Sequence, residues 1–478
     1  MVAVATFVAD TLTPVRAYAA LRRAAGDAAS FLLESVVSGE RWGRYSILGY
    51  RPKHEVTLQS SGYWVGAHGM PHGMPPVTAA RDPLDAARSL FQMSDAADPG
   101  ASHHPAARFA TAYVGYIAWD LVHFIEKVPG WGPRVTSPLA RFFGGATIVV
   151  FDSLAQTVTI AAEDAAEVER TRAHLDRLPP PAPIALPDPT KVPRDVDVDV
   201  DDANYEAMIC RAKEYISAGD AFQIVLARRF SVPRAGRDPF DTYRAMRVLN
   251  PSPYMYFLDL PPGPGERTRT QIAGASPETL VRLENGTMTV CPIAGTHGRG
   301  KTPEDDAAMA RKLLADPKER AEHVMLIDLG RNDVGRVAET GSVQVVRQME
   351  IERYSHVMHM VSEVTGRVRK GTPPLEVLRA AFPAGTLSGA PKVRAMQIIR
   401  ELESAPRGIY GGAIGYVTKT GDLDFAIAIR TAVCKDERFV VTAGAGIVEG
   451  SDPPSEAVET RDKARAVLCA IEATVRAG

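Results

Sequence analysis

The chain has 478 residues, 45% of them hydrophobic and 23% charged, a globular composition that excludes a disordered or fibrous protein. With 55 Lys+Arg against 57 Asp+Glu the formal charge is -2, so no basic field argues for a nucleic-acid partner and no acidic excess for a solvating tail. No apolar run approaches the ~20 residues that span a bilayer, and the four cysteines form no CxxC pair and sit in apolar stretches. The expectation is a cytoplasmic protein with reduced, buried thiols and no membrane partner.

Thr13-Pro14 followed by Val15 to Ala25 and Gly26 reads as an N-cap, a proline at the first helical position, a helix and a glycine stop. Short β-rich runs follow at Phe31 to Glu34, Tyr45 to Tyr50, Val56 to Gln59 and Thr111 to Trp119, and Ile148 to Ile160 folds into a hairpin at Asp152-Ser153. Helices are expected near 83–92 and 165–178. Between Pro179 and Pro193 stand seven prolines in fifteen residues, a semi-rigid spacer that places a linker at 179–196 between an N-terminal lobe, 1–178, and a second lobe, 197–478.

In the second lobe Tyr205, Met208, Ile209, Ala212 and Ile216 make a helix stripe closed by Gly219, and Phe222 to Phe230 a strand. Strands are expected near 254–260, 278–283 and 287–293, helices near 303–335 and 387–403, strands at 411–418, 424–431 and 439–443, and a last helix from about Ser455. Turns rather than helical crossovers link most strands, which predicts antiparallel sheets with helices outside, an α+β fold.

Gly295 to Thr302 spells the phosphate-cradling pattern GxxxxGK[ST], and Val324 to Asp328 imitates the magnesium-holding run of a nucleotide site. The context opposes it. Pro303-Glu-Asp-Asp makes Thr302 an N-cap, so the helix starts after the lysine, and Pro292 interrupts the strand that should precede the loop.

Glu319 and Glu322 share one helix face after Asp316-Pro317, and Glu456 and Glu459 share another after Pro453-Pro454-Ser455. Four carboxylates on two helix starts suit magnesium with retained waters, although such pairs also occur as solvated faces. Gly444-Ala445-Gly446 can bring bare N–H groups to an anion or simply make a turn. Arg430, at the end of an expected strand, can pair with a carboxylate or stay solvated. His356 and His359 show no HExxH spacing, which leaves at most one acid–base histidine.

Taken together, Pro292-Ile-Ala-Gly-Thr296, Glu319 to Leu326, Asp328 to Arg336, Pro383 to Met396, Tyr410-Gly-Gly-Ala-Ile-Gly-Tyr416 and Glu459 to Ala464 resemble the chorismate-utilising enzymes, and within them the large, component I, subunit of anthranilate synthase. The resemblance covers nearly the whole chain. It implies two orthogonally packed antiparallel sheets flanked by helices in α/β/β/α layers. It also implies Glu322 and Glu459 as Mg2+ ligands supported by Glu319 and Glu456, and Gly295, Thr296, Tyr410, Arg430, Gly444, Ala445, Gly446 and Lys463 as chorismate contacts. Glu278 matches the general acid that protonates the departing C4 hydroxyl, and His359 the active-site histidine.

Relatives that add water carry lysine where this chain has Gln223, since water needs a base to become a nucleophile and ammonia does not. Aminodeoxychorismate synthases commonly carry lysine where it has Ala294. The pair favours ammonia attack and anthranilate synthase activity. No cysteine lies in a GxCxG context, so ammonia is expected from a glutamine amidotransferase partner, component II. Leu32-Leu-Glu34-Ser35 and Pro253-Tyr254-Met255 match the family's feedback site for L-tryptophan. One departure stands out: His297-Gly298 replaces the usual Arg-Pro beside the substrate loop. Three alternatives remain: an enzyme that stops at aminodeoxyisochorismate, a catalytically idle tryptophan-binding regulator and a P-loop nucleotide-binding protein.

Overall fold

A computed structural model of the chain describes residues 2–35, 44–60, 62–67, 105–131, 137–177, 179–353 and 357–474. The helix expected near 83–92 and His356 lie outside these residues.

Alternation along the strands explains the layering. In Tyr254–Leu260, Tyr256 and Leu258 point into a cluster with Phe31, Ile148 and Ile414, whereas Met255 and Phe257 join Tyr18, Phe240 and Tyr243 beneath helices. A strand buried on both faces reads as a continuous apolar run, which is why these segments show little polar alternation. The described residues form one 12-stranded and one 11-stranded sheet, and every described strand pair is antiparallel. Helices Pro14–Ala25, Ala165–Arg177, Pro239–Leu249 and Pro453–Glu472 cover the first sheet, and Pro317–Gly335 and Pro374–Ala381 the second. The result is an α/β/β/α sandwich.

Both sheets are woven from segments on either side of the proline-rich stretch. Ser30–Glu34 pairs with Tyr254–Leu260, Met255 standing opposite Glu34, and Tyr113–Ile117 pairs with Ala413–Val417. No helix among the described residues is long and apolar enough to cross a membrane.

Several sequence expectations change. The helix expected at 303–335 is two, Pro303–Ala315 and Pro317–Gly335, because Pro317 has no N–H to continue the first and Asp316 caps the second through Lys318 N and Glu319 N. The run 287–293 splits at Pro292 into Thr287–Val290 and Ile293–Gly298. The helix expected at 387–403 is Gly385–Ser388 followed by Lys392–Leu402. Gly444 to Gly446 do not turn: they lie inside strand Arg438–Ile447, with Gly444 opposite Ala227 and Gly446 opposite Val225. Arg430 does not end a strand either. Leu423–Ile427 belongs to the second sheet and Thr431–Lys435 to the first, and Arg430 occupies the crossing at φ 50. Of the cysteines, Cys210 is exposed rather than buried. A long antiparallel pair, Gln344–Arg353 with Val357–Arg367, adds to the expected strands and carries His359.

The nucleotide-loop imitation fails in three dimensions. Thr302 Oγ1 accepts from Asp305 N, so the helix begins beyond Lys301. The preceding strand is the end strand of an antiparallel sheet, not a parallel strand feeding a helix.

Candidate active site

The cleft can be followed from one side chain to the next. Glu278 follows the strand Thr270–Ser276 and is clamped through its backbone, its N–H donating to Ser276 Oγ at 3.3 Å and its carbonyl accepting from Ile427 N at 3.0 Å. Thr386 Oγ1 donates to its carboxylate at 2.8 Å. Burial pushes the Glu278 carboxyl up to about 7, against the pull of Thr386 and of the Lys463 ammonium. Such a carboxylic acid is half protonated near neutral pH, which suits a proton donor.

Lys463 lies one turn beyond Glu459 on helix Pro453–Glu472; its Nζ pairs with Glu459 Oε1 at 2.6 Å and donates to the Gly444 carbonyl at 3.0 Å. Arg430 donates to the Lys463 carbonyl at 3.2 Å. Arg430 is half-buried, loss of solvent opposes its charge, and it acts electrostatically on both Tyr410 and His359. A non-glycine residue held in left-handed backbone at a sheet crossing is the kind of strain found where a side chain must be aimed. Tyr410, whose phenol burial raises to about 12, points its hydroxyl at Gly444: a Cβ there would stand 2.8 Å from that oxygen and 2.6 Å from the Leu226 carbonyl. Only glycine permits that approach.

His359 stands opposite Thr296 in the sheet and bonds the Gly295 backbone; burial and then Arg430 hold its imidazole below the usual range, so it is neutral at pH 7. Gly295 has φ 64, and a Cβ on it would meet Glu319 Oε2 at 3.0 Å. One turn on, Glu322 Oε1 accepts from Gln223 Nε2 at 3.1 Å, and Gln223 faces Gly446. Its Oε1 is buried with no partner. The ring closes through the second acidic pair, Glu456 and Glu459, which repel each other.

Thus Glu278, His359, Gly295, Tyr410, Arg430, Gly444, Gly446, Lys463 and all four glutamates belong to one connected set, with Thr296 and Ala445 held on the same strands. Thr386 went unassigned in the sequence, although it lies in the Pro383 to Met396 block. Burial and then a neighbouring carboxylate raise Glu319; burial raises Glu456 despite a bond from Ser451, with Glu459 adding to the rise. Among the described residues no three His, Cys, Asp or Glu side chains gather as a ready-made metal cage. Two acidic pairs, of which Lys463 neutralises one carboxylate, nonetheless fit a hard cation that takes one or two carboxylates and keeps its waters.

A second cavity, of about 270 Å³, lies between the sheets. Glu34, Ser35, Pro253, Tyr254 and Met255 all line it. Ser35 Oγ is buried without a hydrogen-bond partner. Glu34 is held by the Tyr243 hydroxyl and by Arg247 Nε at 3.1 Å, while burial raises its carboxyl.

The family model for chorismate binding enzymes matches residues 37–469. Anthranilate synthase component 1 of Streptomyces coelicolor is 44% identical over 97% of this chain and 88% of its own length, and that of Aquifex aeolicus 41% identical over 97% and 93%. The chain belongs to the anthranilate synthase component 1 family of chorismate-binding enzymes. Among solved structures, anthranilate synthase component I from Streptococcus pneumoniae aligns with TM-score 0.75 at 37% identity, covering 91% of this chain and 94% of that one. The menaquinone-specific isochorismate synthase of Escherichia coli, at 19% identity and TM-score 0.72 over 98% and 94%, shares the fold.

Proposed function

We propose that this chain is the large subunit of an anthranilate synthase, a carbon–oxygen lyase that converts chorismate and ammonia to anthranilate and pyruvate through aminodeoxyisochorismate, at the entry to tryptophan biosynthesis. The observation that carries the reading is Glu278, an acid near pKa 7 braced by Thr386 in a cleft that also presents Arg430, Lys463 and bare strand backbone.

Ammonia adds at C2 as the C4 hydroxyl departs, and hydroxide leaves poorly unless protonated; Glu278 supplies that proton. Arg430 and the glycine-lined strand Arg438–Ile447 offer donors for the substrate carboxylates. Gln223 stands where a water-activating base would be needed, and supplies none; ammonia needs none. Glu322 and Glu459, supported by Glu319 and Glu456, are the residues that would hold Mg2+, which neutralises and orients a substrate carboxylate when bound. Ammonia would come from a glutamine amidotransferase partner. The 270 Å³ cavity supports L-tryptophan as feedback inhibitor, its unpartnered Ser35 hydroxyl being a group that a ligand can satisfy.

Purified chain with chorismate, Mg2+ and ammonium salt should yield fluorescent anthranilate plus pyruvate, abolished by EDTA and suppressed by tryptophan. Accumulation of aminodeoxyisochorismate would restrict the enzyme to the first step. Survival of chorismate with folded protein would overturn the catalytic reading.

A further inference from the structure

Tyr254 belongs to both sites. It lines the cavity, and its hydroxyl hydrogen-bonds Thr279 Oγ1 at 2.9 Å and donates to Asp424 Oδ1 at 2.8 Å. Thr279 is the residue after Glu278. Asp424, also on the cavity wall, is fixed by Arg282 at 2.8 Å and lies on the strand Leu423–Ile427, whose last residue donates its N–H to the Glu278 carbonyl. The other side of the acid is tied to the same place, since Tyr254 stands opposite Ser276, whose hydroxyl receives the Glu278 N–H.

Three restraints on the acid's backbone therefore originate on two cavity-lining residues. The ladder is also interrupted at this point. Pairing between Thr279–Glu284 and Leu423–Ile427 shifts register between Thr279 and Val281, immediately after the acid. A bulge takes a residue out of the ladder and re-aims the neighbouring side chain. The phenol is buried beside a carboxylate, which holds it protonated and committed to donating.

We propose that Tyr254 is a positioning residue for Glu278, and that an amino acid bound in the cavity acts on the reaction by drawing the Tyr254 hydroxyl away from Thr279. This rests on the reading above in naming tryptophan as the occupant. A ligand changes catalysis only by the difference in its affinity for the two arrangements, and the coupling is measurable as such a ratio. The geometry gives that ratio a location, one hydroxyl pair.

Tyr254→Phe and Thr279→Val each delete one half of the pair while keeping shape, and Thr279→Ser keeps the hydroxyl. Calorimetry with tryptophan, inhibition of anthranilate formation and the pH profile of kcat are measured on all three. In Y254F and T279V, tryptophan should bind within about threefold of the parent, while inhibition at saturating tryptophan falls at least about tenfold. The kcat profile without tryptophan should shift along the pH axis at unchanged KM for chorismate, and T279S should behave as the parent. Equal weakening of binding and inhibition, with the pH profile unmoved, would reduce Tyr254 to a ligand contact and overturn the proposal. If the parent binds no tryptophan, the regulatory reading fails on its own, and an unshifted pH profile in Y254F would still defeat the positioning role.

Discussion

The catalytic cleft and the cavity between the sheets share the strand Leu423–Ile427, yet they treat charge differently. Around the cavity charged side chains meet their opposites: Arg282 with Asp424, Arg247 with Glu34, Arg44 with Asp152, Arg108 with Glu284. In the cleft the balance is left unfinished. Two pairs of glutamates lie close enough for neighbouring carboxylates to raise pKa values, Arg430 is half-buried at a strained backbone position, and Glu278 is desolvated with a side-chain hydroxyl bonded to its carboxylate. Matched charges make a site that can hold a ligand quietly. Unmatched ones make a site whose charge is completed by substrate and metal, and whose acid is poised to give up a proton.

The contrast is broken most severely by removing the acid. Glu278→Gln should leave chorismate binding intact and lower kcat by roughly 10²–10⁴-fold, the span typical of a lost general acid, read by anthranilate fluorescence. Next in size, Glu459→Gln and Glu322→Gln should each weaken Mg2+ activation by at least about 10–100-fold, measured by metal titration of turnover. Neither change should affect tryptophan binding, because no glutamate of the cleft lines the cavity.

A subtler change sharpens the comparison. Thr386 lowers the Glu278 pKa by donating to its carboxylate. Thr386→Val removes that donor, so the pKa rises and the acid stays protonated to higher pH. The alkaline limb of kcat should then move upward by up to about one pH unit, since a hydrogen bond to a charged group contributes on the order of 1.5 kcal/mol. Smallest of all, Thr302→Ala should cost about 1 kcal/mol of stability through the lost N-cap, with kcat unchanged and no ATP bound before or after.

Local chemistry made much of this legible in the chain itself. Prolines and caps mark the helix starts at Pro14 and Pro303 and place the last helix within two residues of its start at Pro453, and a continuous apolar run marks Tyr254–Leu260. Elements were misjudged where tertiary pairing overrides local preference. Gly444 to Gly446 look like a turn, but the strand Gln223–Pro233 holds them extended, and the absence of side chains makes room for Tyr410. Arg430 looks like a strand terminus because nothing local marks the passage between sheets. The weaving of both sheets across the proline-rich stretch is likewise a long-range property, as no local pattern tells Ser30–Glu34 to pair with Tyr254–Leu260. Most site residues were reached through family blocks rather than spacing, because a glutamate pair reads the same on a solvated helix as beside a substrate.

The pH dependence of kcat, with ammonia held at constant free-base concentration and chorismate saturating, tests the central claim most directly. If Glu278 is the acid, turnover should fall as pH rises through about 7 with unit slope, and the residual activity of Glu278→Gln should lack that limb. A limb that persists in the variant, or a parent enzyme flat across this range, would contradict the assignment of Glu278.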